Sequence, residues 1–178
     1  MNSCAQIVDS MGYAGCDLTC QIDSIHGEFE VSGTVCVQEK AEGGIIFSGK
    51  LAGLLADTTG GFHIHSGNAC EPGTSQGGHY YLGAPWPTPD TTPWCPISDD
   101  PWVSDAPYFS FWASNYDGTA EPVIHMGDDV IQGGAFNVGD DNADCGVKGH
   151  TMIVHKGCPA ENPECTNGGD RIGCCVLA

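Results

Sequence analysis

Residues 29–38, Phe-Glu-Val-Ser-Gly-Thr-Val-Cys-Val-Gln, alternate apolar and polar side chains, the period-two pattern of a strand with one buried face. Glu42-Gly43-Gly44 turns the chain, and the apolar run from Ile45 to Leu51 is expected to pair back as a hairpin. An earlier strand is expected from Cys16 to Ile25. Asp57-Thr58-Thr59-Gly60 turns into a strand that carries Phe62 and Ile64 on one face and His63 and His65 on the other. Further strand patterns lie at Tyr108–Trp112, within Ala120–Ile131, at Gly149–His155 and at Asp170–Ala178. Between them, Pro85, Pro87, Pro89, Pro93, Pro96, Pro101 and Pro107 exclude a central strand or a long helix. That stretch predicts a long loop, clipped by Cys95 and packed on the barrel by Trp86, Trp94 and Trp102. Gly139–Asp144 is expected to be a loop closed by Cys145, and Cys158 and Cys165 could clip the tail locally. Short strands with turn signals about every eight to twelve residues predict an all-β sandwich or barrel. Residues 1–15 are weakly patterned and are expected to form an N-terminal extension tied down by Cys4, with one domain over 16–178.

Charge narrows the function. Acidic residues outnumber basic ones 23 to 5, for a net charge of −18, which disfavours nucleic acid and anionic membranes as partners. No apolar run approaches the ~20 residues of a membrane-spanning helix. Eleven cysteines point to an oxidising, extracellular compartment. No CxxC pair is present, which argues against a zinc ribbon or a thioredoxin-type site. The start, Met1-Asn2-Ser3-Cys4-Ala5-Gln6, lacks signal-peptide character. The expectation is a secreted module whose signal has been removed, or one domain of a larger multi-domain protein. The odd cysteine count leaves one thiol unpaired or paired outside the chain.

Three of the seven histidines, His63, His65 and His79, fall within one short stretch. Two imidazoles on one face of a strand, with a third returning through a glycine-rich loop, make a nitrogen-rich pocket suited to copper, zinc, iron or nickel. His150 and His155 are five residues apart on a strand and point to opposite faces, so only one of them can join this pocket. His26, His125 and His150 are expected to be surface or half-buried residues. Asp140, Asp141 and Asp144 read as a solvated turn, since the EF-hand pattern is absent.

Gly61-Phe62-His63-Ile64-His65, Cys70, Gly77-Gly78-His79, Gly149-His150-Thr151-Met152-Ile153-Val154-His155 and Arg171-Ile172-Gly173-Cys174 together resemble the copper/zinc superoxide dismutase family. Order and spacing match from roughly Phe29 to Ala178. The resemblance implies an eight-stranded Greek-key β-barrel with long loops and several disulfides, and the metal outside one wall. It implies copper ligation by His63, His65, His79 and His155, with His79 the bridging histidine that also carries a proton. It implies a Cys70–Cys174 disulfide, and Arg171 as the arginine that attracts superoxide. The implied reaction is conversion of superoxide to dioxygen and hydrogen peroxide by Cu(II)/Cu(I) cycling.

Two departures change that expectation. No histidine lies between His79 and His125, where the family's zinc ligands fall, and the loop after His155 is short and lacks the family's charged run. Both resemble the copper-only branch, which is extracellular; copper is then the expected cofactor and zinc is not. In that branch a carboxylate orients the bridging histidine, and Asp105 is the first candidate here, with Asp100 and Glu121 as alternatives. A monomer is expected, because Glu71-Pro72-Gly73 disturbs the patch that dimeric members bury. The competing function is a copper-binding or structural module with the same fold and little turnover.

Overall fold

The computed structural model of this chain describes residues 15–25, 27–41, 43–80, 102, 111–126, 136–140, 145–157 and 170–178. Ten strands fall within them: β1 (Leu18–Ser24), β2 (Ser32–Glu39), β3 (Ile45–Ala52), β4 (Thr59–His65), β5 (Phe111–Ala113), β6 (Val123–Met126), β7 (Asn137–Asp140), β8 (Gly146–Lys148), β9 (Thr151–His155) and β10 (Arg171–Val176). Among the described residues one 3-10 turn, Gly73–Gln76, follows β4. The all-β expectation therefore holds. Eight strands form one curled antiparallel sheet in the order β5-β4-β9-β10-β1-β2-β3-β6. The last strand returns to lie beside the first, the long-range closure of a Greek-key arrangement.

The inward face follows the alternation in the sequence. Leu18 and Ile22 of β1, Val35 and Val37 of β2, Phe47 and Leu51 of β3, Phe62 and Ile64 of β4, and Met152 and Val154 of β9 are all buried. The β2–β3 hairpin pairs Ser32 with Ala52 through to Glu39 with Ile45, as its pattern predicts. Gly43 and Gly44 supply the turn at φ 100° and 83°, a region that suits glycine. Trp102 is fully buried, 6.1 Å ring to ring from Phe47 and 5.2 Å from Phe136, so this tryptophan does pack on the core. Trp86 and Trp94 lie outside the described residues.

The segment beginning at Gly139 differs from expectation. Gly139 and Asp140 belong to β7, which pairs in parallel with β8. Cys145 stands between the two strands at φ 58° and is disulfide-bonded. All seven described cysteines are in disulfides. Three bridges lie wholly among the described residues: Cys16–Cys36, Cys20–Cys175 and Cys70–Cys174. The adjacent residues Cys174 and Cys175 point to opposite sides of β10, so one strand anchors two bridges. The suggested clips at Cys95 and at Cys158 and Cys165, the tether at Cys4, and nearly all of the 1–15 extension lie outside the described residues.

Candidate metal centre

Strands β4 and β9 form the wall of the site. Their register pairs Phe62 with Val154, His63 with Ile153, Ile64 with Met152 and His65 with Thr151. Residues opposite each other share a face, so His63, His65 and His155 stand on the outer side while Phe62, Ile64, Met152 and Val154 fill the core. These three histidines are 1–5% exposed, and their candidate ligand nitrogens all lie within 4.8 Å of one another.

Room for this crowding comes from glycine. A Cβ on Gly61 would stand 2.8 Å from His63 Cε1 and 3.2 Å from His155 Cδ2. At Gly60 it would strike the Trp112 ring, whose Nε1 donates to the His155 carbonyl at 3.1 Å. The Gly60-Gly61 pair is thus what lets two imidazoles and an indole share one strand edge.

His79 arrives on a separate segment. Ser66 N donates to Gly78 O at 2.8 Å and Tyr80 N to Ile64 O at 3.1 Å, so residues 78–80 run antiparallel to the end of β4 with His79 opposite His65. Its ring meets those of His63 and His65 edge-on, at centroid distances of 4.5 and 5.3 Å. His79 is half-buried where the other three are buried. All four imidazoles expected to act together are therefore brought into one cluster.

Protonation is set by the surroundings. The Gly77 carbonyl accepts from His65 Nδ1 at 3.0 Å, which assigns the proton to Nδ1 and leaves Nε2 facing His155 Nε2 at 3.4 Å. Metal–imidazole bonds of about 2.0–2.1 Å place neighbouring ligand nitrogens roughly 3 Å apart, so this pair fits a shared ion. Burial, followed by the positive charge of Arg171, lowers the His65 pKa from 6.5 to about 2. A neutral imidazole is the form that binds a metal. Three buried, clustered imidazoles with a fourth beside them fit copper, and a proton cannot readily compete at His65.

Arg171 opens β10 opposite His155. Its Nη2 donates to Gly77 O at 2.6 Å, its Nη1 to Gln76 Oε1 at 3.1 Å and, more loosely, to Gly73 O at 3.4 Å. The Cys70–Cys174 bridge joins the same loop to the same strand, across a sequence separation of 104.

No protein-family model matches the chain. It is similar to Superoxide dismutase (Cu-Zn) of Neisseria meningitidis serogroup A, 28% identical over 181 aligned positions that cover 88% of this chain and 78% of that protein. It is also 30% identical over 174 positions to Superoxide dismutase (Cu-Zn) of Actinobacillus pleuropneumoniae, covering 88% of this chain and 77% of the relative. The chain belongs to the copper/zinc superoxide dismutase family. Within that family its histidine cluster stands outside one wall of the sheet, as the motif order led us to expect.

The other sequence candidates separate clearly. Asp105 and Asp100 lie outside the described residues. Glu121 is exposed, and its Oε1 is 3.5 Å from Lys50 Nζ, so it is engaged on the surface. His125 is exposed on β6, and His26 lies outside the described residues. His150 departs from expectation: it is 4% exposed, its Nδ1 bonds Ser66 O at 3.2 Å, and its ring lies 4.0 Å from that of Tyr80. It lies in the turn before β9, against the segment that follows His79, a contact that strand alternation does not reach. Gln76, buried between Cys70 and Arg171, had no signal in the sequence at all.

Proposed function

We propose that this chain is an extracellular, copper-only superoxide dismutase. The observation that carries the reading is the buried triad His63, His65 and His155, with His79 edge-on beside it. Those four residues would hold copper. Bound copper supplies a one-electron couple for a reaction that takes one superoxide to dioxygen and a second, with two protons, to hydrogen peroxide.

The chain's own residues do the rest. His63, His65 and His155 present buried imidazoles to the ion, and His65 is held neutral. His79, the least buried of the four, can exchange a proton between a ring nitrogen and water. Arg171 offers a positive charge to an anion arriving beside the cluster. The net charge of −18 does not cancel that charge, because exposed charges are screened beyond about 8 Å at physiological ionic strength.

The copper-only reading is supported by the lack of histidine between His79 and His125. A carboxylate, with Asp105 the first choice, would then hold the second ring nitrogen of His79. The disulfides support an oxidising, extracellular location. We take the domain to act as a monomer, which light scattering across a range of concentrations would test. After loading with both metals, elemental analysis should find one copper per chain and no stoichiometric zinc; near-equal copper and zinc would overturn the copper-only assignment.

A further inference from the structure

Arg171 is the sole arginine of the chain. Lys50 and Lys148 are exposed and sit 3.5 and 2.9 Å from the carboxylates of Glu121 and Asp140. Lys156 stands over the Phe29 ring. Arg171 is placed beside the cluster by geometry: it pairs with His155 in the β9–β10 register, and its Nη2 donates to the Gly77 carbonyl that also accepts from His65 Nδ1. A half-exposed guanidinium on a long, flexible stem would ordinarily sample many rotamers.

Gln76 removes that freedom. Its side chain is 1% exposed, its Nε2 donates to Cys70 O at 2.8 Å, and its Oε1 accepts from Arg171 Nη1 at 3.1 Å. Its own carbonyl accepts from Gly67 N at 3.0 Å and from Thr151 Oγ1 at 3.1 Å, so backbone and amide are both fixed. The Cys70–Cys174 bridge then closes a ring: Arg171, along β10 to Cys174, across to Cys70, through the Gln76 amide and back to Arg171. A donor and an acceptor are needed at once, and a primary amide provides both.

We propose that Gln76 is the positioning residue that fixes the Arg171 guanidinium beside the histidine cluster, and so sets the affinity of the site for small anions. The anion-binding half rests on the dismutase reading; the positioning half does not. Having one arginine makes the test clean. In the metal-free protein, phenylglyoxal modification followed by peptide mapping reads the adduct at Arg171.

Gln76→Leu removes both bonds, and modification should quicken by about three- to tenfold, the scale of one typical net hydrogen bond, since the Gly77 and Gly73 carbonyls still hold the guanidinium. Gln76→Glu exchanges the amide for a carboxylate: the donor to Cys70 O is lost, but an ion pair with the guanidinium replaces a neutral bond, and modification should slow below wild type. In the copper-loaded protein, azide affinity read by visible absorption should fall in both variants, although their modification rates diverge. Circular dichroism and melting temperature establish that each variant is folded. If Gln76→Leu does not fold, Gln76→Glu alone decides. Modification rates unchanged in the folded variants would overturn the proposal, whereas diverging rates with no superoxide turnover would keep the positioning role and remove only the dismutase reading.

Discussion

His65 and Arg171 share one acceptor: the Gly77 carbonyl takes His65 Nδ1 at 3.0 Å and Arg171 Nη2 at 2.6 Å. A single peptide oxygen therefore fixes the tautomer of a metal-binding imidazole and one arm of the only arginine. Gly77 stands at φ 70°, and a Cβ there would collide with Ser66 Oγ. Only glycine lets this carbonyl face both partners.

The same arrangement makes the metal-free protein sensitive to acid. His65 has a pKa of about 2 when folded against 6.5 as its ordinary value. Below 6.5 the unfolded chain binds a proton that the folded chain refuses, so stability is present above that pH and is lost as pH falls. Linkage puts the His65 share at about 2 kcal/mol between pH 7 and pH 5. Urea unfolding of metal-free wild type and His65→Gln at both pH values checks this: the wild type should lose that much more. Equal losses would contradict the assignment.

Gly61→Ala tests the crowding between His63 and His155. The added methyl would stand 2.8 Å from His63 Cε1, in a wall that cannot yield without moving a ligand ring. Copper affinity, measured by competition with a chelator, should fall at least about tenfold, with a folding cost of roughly 1–3 kcal/mol for overpacking.

The bridges should differ in weight. Cys70–Cys174 spans 104 residues of sequence and Cys16–Cys36 spans 20. In the chain-entropy account their removal costs about 5 and about 3 kcal/mol respectively. Paired serine variants followed by chemical denaturation should reproduce that order. Losing Cys70–Cys174 should also speed phenylglyoxal modification of Arg171, and losing Cys16–Cys36 should not.

His150 ties Ser66, the residue after His65, to the turn before β9 and packs on Tyr80, the residue after His79. His150→Leu leaves the Ser66 carbonyl short of a buried donor, at a cost of about 1–3 kcal/mol. His150→Asn retains a donor at that position and should recover part of it. Equal melting temperatures for the two variants would show that the Ser66 bond contributes nothing.

What the sequence revealed follows from the range of each physical signal. The β2–β3 hairpin and the placement of His63 and His65 opposite Phe62 and Ile64 were legible because strand alternation is local. His155 and the Cys70–Cys174 pair needed the family's motif order, since nothing local joins residues so far apart. Cys16–Cys36 and Cys20–Cys175 were not legible, because pairing depends on which strands become neighbours, and β1 lies between β2 and β10. The parallel β7–β8 pair hid in a glycine- and aspartate-rich stretch that reads as a turn. Gln76 was invisible for a similar reason. It ends a one-turn 3-10 segment between Ser75 and Gly77, too short for any periodicity to say which side chain turns inward.

The most direct test is superoxide consumption by the copper-loaded protein, followed after a radiolytic pulse, beside a copper-loaded His155→Ala variant. Removing His155 takes one buried imidazole from the triad. Wild type should consume superoxide catalytically, and the variant should be slower by at least about a hundredfold, on the scale of a lost group that acts directly at the reacting centre. Equal and negligible rates in both proteins would contradict a dismutase and leave a copper-binding module with the same fold.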